Sequence, residues 1–214
     1  MHSYEKHKVV SCYNLTARKY ADKFVAELDE KPFDRFILDR FAKAIPPSET
    51  TYEMGCGPGQ IARYLHHNHG LAITGLDDSV EMIRTAEKLH PMIPFVVGDM
   101  LNLDLPSNSV FGIVAFYSIV HFTLKEVAQA LDEFYRVLKP GGIILFSYHV
   151  GNEIISINDF LETEGASTDW VFFETDDIVQ IIKDKGITIE DVVTRYPYEG
   201  KEHGSRRCYT ILRK

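Results

Sequence analysis

The stretch Glu53-Met54-Gly55-Cys56-Gly57-Pro58-Gly59 decides the fold, because it stands where a short apolar strand turns into a helix. Its three glycines let the backbone turn tightly and approach a ligand closely. The helix that follows presents unpaired backbone N–H groups, which can bind polar groups of a ligand. We therefore expect a nucleotide-like ligand to bind at this loop.

The sequence around this loop alternates between short apolar runs and segments at helical spacing. This alternation is typical of a parallel sheet with crossover helices, in three layers. The predicted strands are residues 50–54, 71–76, 94–97, 110–117 and 143–148. The predicted helices are residues 59–67, a helix capped by Ser79, and residues 125–138. Lys139-Pro140-Gly141-Gly142 is predicted to be the turn after the third of these helices.

The segments on either side of residues 47–150 are expected to complete one domain over residues 1–214. Residues 1–46 show helical spacing of apolar side chains and are predicted to form a helical cap. Residues 151–174 are predicted to be an irregular cap insertion. Residues 175–214 are predicted to form a helix to about residue 185 and then two antiparallel strands, residues 187–196 and 208–212.

Composition excludes several classes of function. The net charge of −8 disfavours nucleic-acid binding, which requires clustered Lys and Arg. No apolar run is long enough for a membrane helix, and the polar first residues do not resemble a signal peptide, so we expect a cytoplasmic protein. Three widely spaced cysteines fit a reducing compartment. The sequence leaves open whether the protein is a monomer or a homodimer.

Histidines occur close together on one predicted helix, at His66, His67 and His69. Neighbouring residues on a helix point in different directions, and no carboxylate completes a ligand set. We therefore predict no metal site.

Two further motifs follow the ends of predicted strands. In Gly75-Leu76-Asp77 the carboxylate can accept hydrogen bonds from both hydroxyl groups of a ribose. In Gly98-Asp99-Met100 the carboxylate is placed to accept a hydrogen bond from an exocyclic amino group such as that of adenine. Met82 would offer an apolar face to the purine, although a Met at helical spacing is as often a core residue.

The acid Glu53 distinguishes two kinds of nucleotide site. A dinucleotide-binding fingerprint calls for Gly or Ala where this chain has Gln60, and it requires no acid before the first glycine. A carboxylate at this position suits a ligand with a cationic amino-acid end and would repel a pyrophosphate. A nicotinamide-dependent oxidoreductase therefore remains the less favoured interpretation.

The four motifs together resemble the class I S-adenosylmethionine-dependent methyltransferases, in the small-molecule branch that includes the ubiquinone and menaquinone methyltransferases. They are residues 53–59, 75–77, 98–100 and Leu-Lys-Pro-Gly-Gly at 138–142, in that order. The resemblance covers residues 48–150 strongly and the N-terminal block more loosely. It implies a Rossmann-like sheet of seven strands, mostly parallel with an antiparallel last strand, and a substrate bound under the cap.

The resemblance also implies S-adenosylmethionine as the cofactor, S-adenosylhomocysteine as its product, and a small-molecule methyl acceptor. One departure is Asp78, which follows Asp77 where the family more often has an apolar residue, so either carboxylate could contact the ribose. The residues that we expect to bind the cofactor are Glu53, Gly55, Cys56, Gly57, Gly59, Asp77, Asp78, Met82, Gly98, Asp99, Met100, Tyr117, Tyr13 and Tyr20.

The acceptor end of the site is less specific in the sequence. His121, just past the fourth predicted strand, is the candidate general base, with a pocket-shaping role as the alternative. Arg195 and Tyr198 either meet an anionic group of the substrate or lie on the surface. Trp170, Phe172 and Phe173 either line a substrate cavity or form a small core. We expect methyl transfer to O, N or C of a small molecule, and a non-catalytic cofactor-binding module is the alternative.

Overall fold

The structure is a computed structural model that describes residues 4–214. The helices are α1 (Lys6–Phe24), α2 (Pro32–Lys43), α3 (Gln60–His69), α4 (Val80–Leu89), α5 (Leu124–Val137) and α6 (Thr175–Asp184). The strands are β1 (Thr50–Met54), β2 (Ala72–Asp77), β3 (Phe95–Val97), β4 (Val110–Phe116), β5 (Leu138–Val150), β6 (Ile154–Ile157), β7 (Thr168–Val171), β8 (Thr188–Arg195) and β9 (Arg206–Arg213).

Seven of these strands form one sheet in the order β3-β2-β1-β4-β5-β9-β8. The pairs from β3 to β5 are parallel, whereas β9 runs antiparallel to both β5 and β8. This topology confirms the predicted fold class, including the closing antiparallel hairpin. Because the order reverses between β1 and β4, the carboxyl ends of these two strands open a crevice.

Helices cover both faces of the sheet, as the near-continuous apolar runs in its strands require. On one face α2, α3 and α4 pack on the sheet through side chains such as Phe41, Leu65 and Ile83. On the other face α5 and α6 pack through Phe134 and Ile182. The three predicted layers are therefore present.

The N-terminal block divides between two places. The second helix, α2, belongs to the layer on one face of the sheet. The first helix, α1, contacts α4 and the β6–β7 hairpin, and its buried Cys12 packs against Phe160 and Ala166. Of the predicted helical cap, α1 is the part that covers the site described below.

Two local predictions were wrong. The segment 151–174 is not irregular, because β6 and β7 pair as a two-stranded antiparallel sheet. Strands of four residues are too short for their periodicity to be recognised in the sequence. Lys139-Pro140-Gly141-Gly142 is not a turn but part of β5. The register shifts there, because Leu138 pairs with Val110 while Ile143 pairs with Gly112, so the extra residues form a bulge.

The described part of the chain contains no helix that combines the length and the apolar character needed to cross a bilayer.

Candidate active site

A cleft of about 820 Å³ opens at the carboxyl ends of β1, β2 and β4, under α1. Its residues come from α1, from the loops after β1, β2, β3 and β4, and from the first turns of α3 and α4. Of the residues predicted to bind a cofactor, those that line it are Glu53, Gly55, Cys56, Gly57, Asp77, Asp78, Met82, Gly98, Met100, Tyr117, Tyr13 and Tyr20. His121 lines it as well.

The glycine loop lies against neighbouring elements at two points. A Cβ atom on Gly55 would lie 2.4 Å from Cβ of Ser118, so only glycine fits between β1 and the loop after β4. Gly59 does not line the cleft. It caps α3 with a φ of +84° and packs against the ring of Phe95, so its place in the site is structural.

Asp77 is held rigidly at the end of β2. One carboxylate oxygen accepts the backbone N–H of Gly57 at 2.9 Å, and the other accepts that of Ser79 at 2.8 Å. Burial raises the pKa of Asp77 to about 6, although these two hydrogen bonds favour the charged form. Each oxygen keeps a further lone pair, so the carboxylate can still accept hydroxyl groups of a ligand.

Glu53 is buried at the end of β1 and reaches across the glycine loop. Its Oε2 accepts the backbone N–H of Ala62 in α3 at 2.8 Å. Burial raises the pKa of this carboxyl well above its usual range, and the nearby Asp77 raises it further. A buried acid of this kind is stabilised by a positively charged partner.

Asp99 does not line the cleft. Its carboxylate caps the loop by accepting the N–H of Leu101 at 2.8 Å, and Nζ of Lys6 lies 2.6 Å from its other oxygen. The same ammonium lies 3.0 Å from Asp78, so Lys6 joins α1 to two carboxylates at the rim. A role for Asp99 in binding an amino group remains a prediction.

His121 occupies the wall between the cleft and α1. Its Nε2 lies 2.8 Å from the phenol oxygen of Tyr13, and its Nδ1 lies 2.8 Å from the backbone oxygen of Asp169. Burial lowers the pKa of His121 to about 4, so the ring is neutral at pH 7. In this state Nδ1–H donates to the carbonyl and Nε2 accepts the proton of the phenol.

Tyr117 directly follows β4 and has a φ of +53°, which is rare for a residue other than glycine. Its phenol lies 2.7 Å from that of Tyr209, whose hydroxyl also donates to Asp34. Strained backbone of this kind persists only where surrounding contacts fix it. The ring of Tyr117 lines the cleft and also the second cavity described next.

A second cavity of about 1060 Å³ adjoins the cleft on the side of β5 and β9. The residues that line both spaces are Tyr13, Tyr20, Gln60, Phe116 and Tyr117. Of the aromatic residues whose role the sequence left open, Trp170 lines this cavity. Phe172 packs on the ring of His149, and Phe173 belongs to the main core.

Arg195 and Tyr198 occupy neither of the places foreseen for them. The Arg195 guanidinium contacts both oxygens of Glu202 at 2.6 and 2.8 Å and Asp34 at 2.8 Å. Tyr198 stacks on this guanidinium at 4.3 Å, and its hydroxyl accepts the N–H of Phe33. Arg195 is therefore a buried structural cation that joins β8, α2 and the loop before β9.

Two histidines of α3, His66 and His69, contact other parts of the chain. Nδ1 of His66 lies 3.0 Å from the backbone oxygen of Leu71, and Nε2 of His69 lies 2.7 Å from Asp39. Over residues 4–214, no three His, Cys, Asp or Glu side chains lie together as a metal ion would need.

Sequence reasoning missed two polar side chains of the cleft. Oε1 of Gln60 and Oγ of Ser118 are buried there without a hydrogen-bond partner. In the sequence, the feature that could have identified them is their position, just after the glycine loop and just after β4. Buried polar atoms are nearly always paired, so both indicate a polar ligand in this cleft.

Comparison with known proteins agrees with this geometry. Residues 52–146 match the family described as "Methyltransferase domain". The match covers less than half of the chain, and over these residues the chain is similar to that family. This match confirms the resemblance inferred from the glycine loop and the three motifs that follow it.

The curated proteins to which this chain is similar are named for different substrates. A malonyl-[acyl-carrier protein] O-methyltransferase of Pectobacterium atrosepticum is 29% identical over 68% of the chain and 54% of its own length. A demethylmenaquinone methyltransferase of Chlorobaculum tepidum is 33% identical over 42% of the chain and 36% of its own length. The chain thus spans about half the length, or less, of these relatives.

A solved structure shares the fold of this chain over most of its length. It is a SAM-dependent methyltransferase of Methanosarcina mazei with a TM-score of 0.71 and 18% sequence identity. The match covers 80% of the present chain and 95% of the other. It confirms the fold class at a level of identity that says nothing about the substrate.

Proposed function

We propose that this chain binds S-adenosylmethionine in the cleft and transfers its methyl group to a small molecule bound in the second cavity. One observation carries the proposal. The described side chains that line the cleft include three carboxylates, Glu53, Asp77 and Asp78, and neither Lys nor Arg. Asp78 already pairs with Lys6 at the rim, and the remaining acids, Glu53 and Asp77, suit a ligand with an ammonium and a sulfonium group and disfavour a pyrophosphate.

The shape of the cleft supports the same ligand. Gly57 leaves room for a ligand close to the backbone, and Asp77 offers acceptors for ribose hydroxyls at the end of β2. Met82 and Met100 offer apolar faces on the side of α4. Oε1 of Gln60 and Oγ of Ser118, which have no hydrogen-bond partner, supply polar groups for the amino-acid end of the ligand.

The cofactor supplies an electrophilic methyl carbon attached to sulfur. The acceptor atom forms a bond to this carbon while the carbon–sulfur bond breaks and its electron pair returns to sulfur. The main task of the chain is then to orient the acceptor, which can contribute about 7–11 kcal/mol. The residues that line both spaces form the boundary across which the acceptor would approach.

Calorimetry tests the cofactor. We expect S-adenosylmethionine to bind and NAD not to bind, and Asp77→Ala to weaken binding at least about tenfold, because hydrogen bonds to a charged group contribute about 1.5–3 kcal/mol. Asp177→Ala, at an exposed position in the first turn of α6, is the matched control. A preference for NAD, or equal binding by both variants, would overturn the proposal.

Turnover separates an enzyme from a non-catalytic binding module. Incubation with S-adenosylmethionine and a library of small-molecule acceptors should release S-adenosylhomocysteine, and the Asp77→Ala variant should release much less. Tight cofactor binding without release of product by any acceptor would favour the binding module instead.

A further inference from the structure

The residues that line the second cavity are of two chemical kinds. Its aromatic wall includes Trp170, Phe160 and His149. Its basic residues are Lys23, Lys31, Lys201 and Arg207, of which Arg207 pairs with His149 across β5 and β9. Four basic side chains in one cavity are unexpected in a chain whose net charge is −8. The residues of this cavity therefore indicate the chemical class of its ligand.

The aromatic wall is a stack of parallel rings. The rings of His149 and Trp170 lie 6.0 Å apart with an angle of 15° between them. The rings of Phe172 and His149 lie 5.0 Å apart with an angle of 22° between them. Burial lowers the pKa of His149 to about 3, and the charge of Arg207 lowers it further, so at pH 7 this ring is an uncharged planar surface. Such a wall favours a planar aromatic ligand.

The carboxylates of the cavity are already neutralised. Both oxygens of Glu202 bind the Arg195 guanidinium, which belongs to the network outside the cavity. Oε2 of Glu27 lies 2.5 Å from Nζ of Lys31. The shortest contacts of both acids are thus with Arg195 and Lys31, and Glu202 is left with a longer contact to Arg207.

Two of these cations are less completely paired than Lys31. Within the described residues, Lys23 forms no ion pair, and its ammonium lies 5.4 Å from the centre of the Phe24 ring. Arg207 is buried, and its Nε makes no hydrogen bond, since the nearest carboxylate oxygen, on Glu202, lies 3.5 Å away. Its Nη1 donates to the backbone oxygens of His203 and Ser205, which fixes the guanidinium in place. A fixed, incompletely paired guanidinium is suited to bind an anion.

We propose that the methyl acceptor is a small aromatic molecule with an anionic group, its ring against Trp170 and His149 and its charge towards Lys23 and Arg207. This inference rests on the proposed function, because it assigns the second cavity to the acceptor. The shared residues Tyr13 and Tyr117 place such a ring next to the cofactor cleft.

Trp170 makes the test direct, because it is the only tryptophan of the chain and lines the cavity. Its fluorescence is titrated with 4-hydroxybenzoate, 4-hydroxybenzamide, phenyl phosphate and cyclohexanecarboxylate, in the presence of S-adenosylhomocysteine. We expect the aromatic carboxylate or the aromatic phosphate to bind at least about tenfold more tightly than the uncharged amide, as charge-assisted contacts require. The better of the two anions identifies which group is recognised, and the aliphatic acid should bind weakly.

Variants connect this preference to the two cations. Lys23→Met and Arg207→Met should each weaken binding of the aromatic anion about tenfold and leave binding of the amide unchanged. Lys183→Met, on the exposed face of α6, is the matched control and should behave like the unmodified chain. If the Arg207→Met variant does not fold, the Lys23→Met variant alone tests the proposal.

The outcomes distinguish this inference from the function on which it rests. If calorimetry shows S-adenosylmethionine binding but the anions and the amide bind alike, or none of them binds, the acceptor class is wrong and the methyltransferase proposal stands. If S-adenosylmethionine does not bind, the proposed function itself fails.

Discussion

The phenol oxygen of Tyr13 lies 2.8 Å from Nε2 of His121, which joins α1 to the loop after β4. Because α1 covers the cleft, this contact connects the cap to the edge of the sheet. It also occupies the nitrogen that a general base would use. A direct role of His121 in removing a proton from the acceptor stays a prediction, and it requires that Tyr13 give up this contact.

Acid should destabilise the protein through His121. The folded-state pKa of about 4 lies below the ordinary value of 6.5, so between these values the folded chain binds fewer protons than the unfolded chain. Stability therefore falls as the pH decreases from 6.5 to 4, by up to about 1.4 kcal/mol per pH unit from this residue. Urea unfolding at pH 7, 5.5 and 4.5 should show a steeper loss for the unmodified protein than for His121→Asn. Parallel pH curves for the two proteins would contradict this prediction.

Cofactor affinity should depend on pH through Asp77. Its carboxyl, with a pKa of about 6, is charged at pH 7.5 and largely protonated at pH 5. Protonation removes the negative charge that faces a cationic ligand, so the Kd for S-adenosylmethionine should increase as the pH falls through 6. In Asp77→Asn, affinity should be low and the part of the pH dependence centred near pH 6 should be absent. Equal Kd values of the unmodified chain at pH 7.5 and 5 would disprove this.

Release of the cofactor should depend on Lys6. Its ammonium pairs with Asp78 and Asp99 and so holds the start of α1 over the cleft. Lys6→Met should speed the dissociation of S-adenosylhomocysteine a few-fold at low salt, and the difference should shrink at high salt because this pair is partly exposed. Stopped-flow displacement measures the rate. Lys88→Met, on the exposed surface of α4, provides the comparison. Identical dissociation rates for both variants would show that Lys6 does not hold α1 over the cleft.

Substitution of Gly55 should be costly. Its φ of +69° disfavours any side chain, and an added Cβ would meet Ser118 at 2.4 Å. Gly55→Ala should lower the free energy of unfolding by about 1–3 kcal/mol. Gly204→Ala adds a Cβ that meets no atom within 4 Å and should change stability little. Urea denaturation of both variants tests this, and similar midpoints would show that the loop can relax.

Loss of Arg195 should destabilise the fold. Its removal leaves the buried carboxylates of Asp34 and Glu202 without their main cation. Arg195→Met should therefore reduce the free energy of unfolding by about 3–5 kcal/mol. Arg84→Met breaks an exposed pair with Glu81 and should cost less than about 1 kcal/mol. Thermal unfolding of both variants gives the comparison. An equally small loss of stability in both would mean that water replaces the contacts of Arg195.

The sequence was most informative where a short motif must adopt one backbone conformation. Gly55 and Asp77 follow strand ends, and parallel strands bring their carboxyl ends to one edge, so their meeting in one cleft followed from spacing alone. The predictions were less accurate where contacts between residues far apart in the sequence determine the structure. Nothing near Asp99 in the sequence reveals that Lys6, 93 residues away, pairs with it. Likewise, Arg195 was assigned to the substrate or the surface because its partner Asp34 lies 161 residues away.

The sequence by itself therefore determined the order of strands and helices, the glycine loop, and the acids that follow the strands, because these depend on local backbone geometry and on the two-sided burial of a parallel sheet. Only the tertiary structure decided which helix covers the cleft, how β6 and β7 pair, and which cations face the second cavity. These features arise where segments far apart in the chain pack together, and their energies depend on distances and burial that no local pattern encodes.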